Sequence, residues 1–234
     1  MKKLALLCVL LLALSFLSAD DREIYSGDQT VFVFPTAYTM PKGSSALTDY
    51  EIIILQYAYA ASDRLHLSAG MAFPVVKDAL KTFSLGGKYN YFRSKSVESA
   101  VWGTYTFDTN VFTLGNVISF GGNSGHGDGS VHLVGMLVGD IESENLRGIL
   151  GTGGILRFSK RVNGMMELYY APINLVGEPG EIFSVDNYDY AVLNAGVRFK
   201  GHKVSFDLGG IRPVGNVDLG ELILFPFVKA TFMF

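Results

Sequence analysis

The stretch RLHLSAGMAF, residues 64–73, alternates residue by residue. Leu65, Leu67, Ala69, Met71 and Phe73 lie on one face, with Arg64, His66, Ser68, Gly70 and Ala72 on the other. Successive side chains of an extended chain point to opposite sides, so this period of two specifies a strand with one apolar face. The pattern recurs along the chain. Phe83, Leu85, Gly87, Tyr89 and Tyr91 oppose Thr82, Ser84, Gly86, Lys88 and Asn90. Val162, Met166, Leu168 and Tyr170 oppose Arg161, Asn163 and Glu167, and Ala191, Leu193, Ala195, Val197 and Phe199 oppose Asn194, Gly196 and Arg198.

The spacing predicts twelve strands, at about 30–40, 48–60, 64–75, 82–93, 98–107, 111–121, 131–139, 146–158, 161–171, 188–200, 202–211 and 221–234. Most exceed the usual soluble strand of about 5–6 residues and match the roughly 9–11 that a tilted strand needs to cross a bilayer. The expected fold is all-β: a closed, antiparallel, up-and-down transmembrane β-barrel of about twelve strands, with 10–14 possible. Connections after the second, eighth and tenth strands are very short, while the longest, NLVGEPGEIFSVDN, follows the ninth. Short turns at even positions and long loops at odd ones fit a barrel with both termini at the periplasmic end. GGNSGHGDGS is long for an even turn and leaves the strand count around 121–130 open. Tyr50, Tyr59, Tyr89, Tyr91, Tyr169, Tyr170 and Tyr188, near strand ends, suit interfacial girdles.

The front of the chain has another character. Lys2 and Lys3 precede an apolar run from Leu4 to Leu17, followed by Ser18-Ala19-Asp20. This is the pattern of a cleaved secretory signal peptide, residues 1–19, and is too short for a spanning helix. Residues 20–234 then form a single barrel domain. The sole cysteine, Cys8, lies in the leader, so neither a disulfide nor a Cys-based zinc site is available to the mature chain. Loss of Lys2 and Lys3 takes the formal charge from −3 to −5, which disfavours a nucleic-acid partner. The 27 Gly, 12 Tyr and 17 Phe, and a charged fraction of 18% against a typical ~25%, fit pleated surfaces facing lipid.

The chain ends in KATFMF, with Val228, Ala230, Phe232 and Phe234 at alternate positions. This resembles the C-terminal signature of bacterial outer-membrane β-barrel proteins, and the resemblance implies recognition by the barrel-assembly machinery. FPTAYTMPKG and QYAYAASDRLHLSAG resemble small uncharacterised outer-membrane barrel proteins of Gram-negative bacteria. The resemblance implies location in the cell outer membrane, with its lipids as partners.

Few constellations carry chemistry. His66 and Ser68 share a strand face, and outer-membrane phospholipases and lipid A deacylases use a His/Ser pair. Here the pair lies opposite the apolar row, so it is expected to face the lumen. Arg147, Arg157, Glu167, Arg198, Asp207 and Lys229 also lie away from the apolar rows. They form either a salt-bridged, plugged lumen or a small solute pathway with slight anion preference. No cofactor motif is present, and His126 and His132 lack metal-ligand spacing. The acidic residues Glu178, Glu181, Asp186 and Asp189 read as a solvated outer loop. The expected function is a non-enzymatic outer-membrane barrel, a small pore or a structural surface protein. The alternatives are an outer-membrane lipid-modifying enzyme and a secreted soluble barrel binding an apolar ligand.

Overall fold

The alternating runs form one continuous ladder of strands. The computed structural model describes residues 26–72, 79–121, 129–141, 145–174, 190–214 and 224–234. Its strands are β1 (Ser45–Tyr50), β2 (Ile54–Ala60), β3 (Leu65–Ala72), β4 (Ser84–Arg93), β5 (Val97–Thr106) and β6 (Val111–Gly121). They continue as β7 (Gly129–Asp140), β8 (Asn145–Arg157), β9 (Val162–Asn174), β10 (Tyr190–Lys200), β11 (Val204–Val214) and β12 (Phe225–Met233). Each pairs antiparallel with its neighbours in sequence, and β1 pairs with β12, closing a twelve-stranded barrel. Closure leaves no edge strand, and β-bulges interrupt the register between Asn90 and Phe92 and between Gly148 and Leu150.

The count of twelve holds, but two elements differ from expectation. Residues 30–40 are not the first strand; they lie inside the barrel. Residues 48–60 are not one strand but parts of β1 and β2, joined through Glu51–Ile53. Glu51 and Ile52 both adopt left-handed backbone, at φ 59° and 60°, which a β-branched residue rarely does. The turn is held by Ile53 N–H donating to Tyr50 O at 2.9 Å and Ile52 N–H to Asp49 Oδ1 at 3.0 Å. The two differences offset each other and preserve the parity of all later connections. The end of β6 and the start of β7 thus lie at the end that carries the short turns, and residues 122–128 lie outside the described residues. That end, where Ser45 and Phe234 exchange backbone hydrogen bonds, is called proximal below, and the other distal.

The apolar rows point outward. Leu67, Leu85, Leu114, Leu133, Leu150, Leu168, Leu208 and Val228 are all exposed, spread around the whole wall. A soluble monomer rarely exposes an apolar patch beyond a few hundred Å², whereas a belt of this kind matches a hydrocarbon layer. Tyr59 and Tyr91 belong to the outer surface. Tyr50 and Tyr169 do not: they pack inside, against clusters around Phe32 and Phe34. Tyr188 lies outside the described residues, as do the leader and the acidic loop positions.

Candidate functional site

Residues 26–43 enter the lumen from the proximal end, turn near its middle and come back. Thr30 bridges Pro35, and Val31 N–H donates to Phe34 O at 2.9 Å, tightening the tip. Val31, Phe32, Phe34, Ala37, Tyr38 and Met40 are buried. Such an inner hairpin has no strand neighbour to pair with, and buried amides and carbonyls must still be satisfied. The wall supplies the partners from side chains.

Glu167 on β9 takes the tip. Its Oε1 accepts from Phe32 N–H at 2.7 Å and Phe34 N–H at 2.9 Å, and its Oε2 accepts from Val33 N–H at 3.2 Å. Asn194 on β10 steadies the carboxylate through Nδ2 at 3.0 Å. The carbonyls are taken by cations. Arg198 donates to Gly27 O at 2.7 Å, Thr30 O at 3.0 Å and Val31 O at 2.5 Å. Lys229 donates to Phe32 O at 2.8 Å and Val31 O at 3.1 Å. Asp207 neutralises both, at 2.6 Å from Arg198 Nε and 2.7 Å from Lys229 Nζ. All three are fully buried, a placement that charges tolerate only when paired and hydrogen-bonded.

Four of the six expected lumen charges therefore converge: Glu167, Arg198, Asp207 and Lys229. Arg147 and Arg157 do not. Arg147 is exposed near the distal end of β8, and Arg157 is half-buried at its proximal end.

The opposite wall holds the returning limb. Lys88 Nζ donates to Tyr38 O at 2.6 Å and Thr36 O at 3.0 Å, and Asn90 Nδ2 donates to Ala37 O at 2.8 Å. Arg93 donates to Thr39 Oγ1 and pairs with Glu98 at 3.3 Å. Ala37 N–H donates to Ser119 Oγ at 2.8 Å, and that hydroxyl lies 2.8 Å from His132 Nδ1. Ser130 Oγ is 2.9 Å from the other ring nitrogen. Ser119 and His132 are fully buried, and this group holds the returning limb at Ala37. The polar inner row of β4 and β5, Lys88, Asn90 and Glu98 among apolar neighbours, was a readable signal for these residues.

His66 and Ser68 sit on β3 and face inward. His66 Nε2 accepts from Met40 N–H at 2.6 Å, so the nitrogen a nucleophilic pair would use is already engaged by backbone.

The wall is carved to fit. Gly151 faces the ring of Phe34, and a Cβ at Gly153 would lie 3.0 Å from Val31 Cγ2. Phe34 meets Tyr169 edge-on at 4.9 Å, and Phe32 meets Phe227 at 5.6 Å. Phe227 thus faces inward although its strand is apolar on both sides.

Val228, Ala230, Phe232 and Phe234 lie on the outer register of β12 and just beyond it. Phe232 packs edge-on to Phe206 at 6.4 Å, and Phe234 is exposed at the proximal rim.

With this geometry, known folds become comparable. An outer membrane channel from Pseudomonas putida F1 superposes with a TM-score of 0.50 at 12% identity, covering 91% of this chain and 100% of that one. The KdgM porin superposes with a TM-score of 0.51 at 11% identity, covering 82% and 98%. The chain has the fold of outer-membrane channels. No protein-family model matches the sequence, and no curated protein does.

Proposed function

We propose that the protein is a non-enzymatic barrel of the Gram-negative outer membrane, a small channel closed in this conformation by its own N-terminal hairpin. The carrying observation is the pairing of an apolar outer belt with a lumen that the hairpin of residues 26–43 enters and occupies from the proximal side. The leader, residues 1–19, would export the chain, and the Val228, Ala230, Phe232 and Phe234 row would present it to the assembly machinery. The proximal end would then face the periplasm, which places the hairpin root there too.

Where the hairpin withdraws, Lys88, Arg93, Arg198 and Lys229 face Glu98, Glu167 and Asp207 across the path, a slight excess of cations. Small anions are the solutes this favours. The lipid-hydrolase reading lacks support, because His66 is occupied by Met40.

The test is a reversible lock. The mature chain has no cysteine, so Val31→Cys with Gly153→Cys would tie the tip to β8 within disulfide reach. In a planar bilayer, the reduced protein should open in bursts and the oxidised protein should stay silent. Equal silence in both states, with heat-shifted gel mobility intact, would favour a purely structural barrel.

A further inference from the structure

The hairpin divides the lumen into two chemically different halves. Proximal to its tip, the inner wall carries Lys88, Glu98, Glu167, Arg198, Asp207 and Lys229, all buried. Distal to the tip, the inner register changes. Alternation through the ladders puts Tyr50, Met136, Ile149, Tyr169, Ile211 and Phe225 on the inside of β1, β7, β8, β9, β11 and β12. Between them, β5 and β6 contribute hydroxyls, Thr104 facing Thr113 across the ladder. Among the described residues, the charges on this half of the inner register are Asp140 and Arg147, both next to the distal rim.

Among the described residues, none covers the hairpin tip from this side. Val33, at the tip of the hairpin, is 44% exposed, and Phe225 is 45% exposed although its register points inward. Outward residues are exposed to lipid, but these two are exposed to the lumen. The floor is closed by Phe32 and Phe34 with their aromatic partners. The outcome is a concave cup, floored by the hairpin and walled by apolar and aromatic side chains, whose described charges, Asp140 and Arg147, stand only at its rim. Concave apolar sites with a few hydroxyls to orient a ligand are what small-molecule pockets are made of.

The geometry points to a binding site for a small neutral apolar solute in the distal half of the lumen, above the hairpin tip. A charged solute would leave water for a wall whose described residues offer no counter-charge below the rim, a cost that outweighs contact with the ring faces. A neutral aromatic or aliphatic molecule loses nothing comparable and covers Val33, Phe225 and Ile211. This site rests on the membrane-barrel reading and is distinct from the anion path, which exists only when the hairpin leaves.

Trp102 is the chain's single tryptophan and packs against the cluster under the cup, which makes it a built-in reporter. The full-length protein in lipid nanodiscs would be titrated with neutral N-phenylnaphthylamine, following energy transfer from Trp102. Saturable transfer is expected, weakened about tenfold or more in Val33→Glu and in Phe225→Arg, where a charge meets the apolar cup. Leu150→Ala, on the lipid face, should titrate as the parent does. Anilinonaphthalene sulfonate, of similar ring size but anionic, should bind at least about tenfold more weakly.

Transfer that rises linearly with probe, or equal binding of the two probes, would overturn the cup. So would unchanged binding in both charged variants. Heat-shifted mobility of the same samples reports the barrel separately. A shifted band without saturable binding sinks the cup alone, and loss of the shift sinks the membrane reading beneath it.

Discussion

The carboxylate of Glu167 stands 2.7 Å from the amide nitrogen of Phe32, although 135 residues separate them along the chain. It accepts Phe34 N–H as well, so one side chain on β9 defines the tip of a hairpin that belongs to no strand. Replacing it by glutamine removes the charge and turns a donor toward donors. Glu167→Gln should loosen the hairpin by about 2 kcal/mol, the scale of hydrogen bonds to an ionised acceptor. Proteolysis at exposed Lys42, at the hairpin root, measures this: cleavage in the variant should be faster by more than tenfold, with the barrel itself still heat-shifted.

Asp207 is the hinge of the buried charges, since it serves Arg198 and Lys229 together. Asp207→Asn leaves two buried cations without their carboxylate and should cost about 3–5 kcal/mol. Lys229→Met should cost less, because the remaining Arg198–Asp207 pair stays neutral. The order of the two midpoints in thermal unfolding, followed by gel mobility, checks this. The reverse order would mean that Lys229 rather than Asp207 organises the group.

The groove for the hairpin is steric as well as polar. Gly151→Ala should push the Phe34 ring from its place without disturbing the ladder, because strands accept alanine. Open-channel events should appear in a bilayer, and adding Phe34→Ala should reverse much of the effect. Two contacting residues are expected to couple by about 0.5–3 kcal/mol, so an additive double mutant would remove this contact from the account.

The outer belt predicts a different kind of sensitivity. Leu133 lies mid-strand on β7 and is exposed. Leu133→Arg should reduce folding into lipid vesicles by about 2–4 kcal/mol, as for a cation near the bilayer midplane. The preceding residue, His132, faces inward and is buried, so the same change there would act through the hairpin instead. Urea titration of the vesicle-folded protein separates the two.

Much of the barrel was legible because alternation is a local property. Leu65, Leu67, Ala69 and Met71 point to lipid wherever β3 ends up, and the register of its neighbours follows from the pleat. The hidden β1–β2 turn was not legible, since Glu51-Ile52-Ile53 contains no residue that favours left-handed backbone. The hairpin reads as a strand in the sequence for a related reason. In TVFVFPTAYTM both faces are apolar, which fits any segment buried on two sides. Pro35 was the one signal against it, because proline cannot donate to a central ladder.

By itself, then, the sequence determined a twelve-stranded alternating chain, its lipid-facing rows and a set of lumen charges on β9 to β12. What those charges hold was decided by the tertiary structure alone. Glu167, Arg198 and Lys229 recognise backbone amides and carbonyls of residues 27–34, groups that every residue carries and that leave no mark in a residue pattern. Only closure of the barrel brings them within hydrogen-bonding distance. The same closure sets the hairpin tip halfway along the lumen and so divides charged wall from apolar cup.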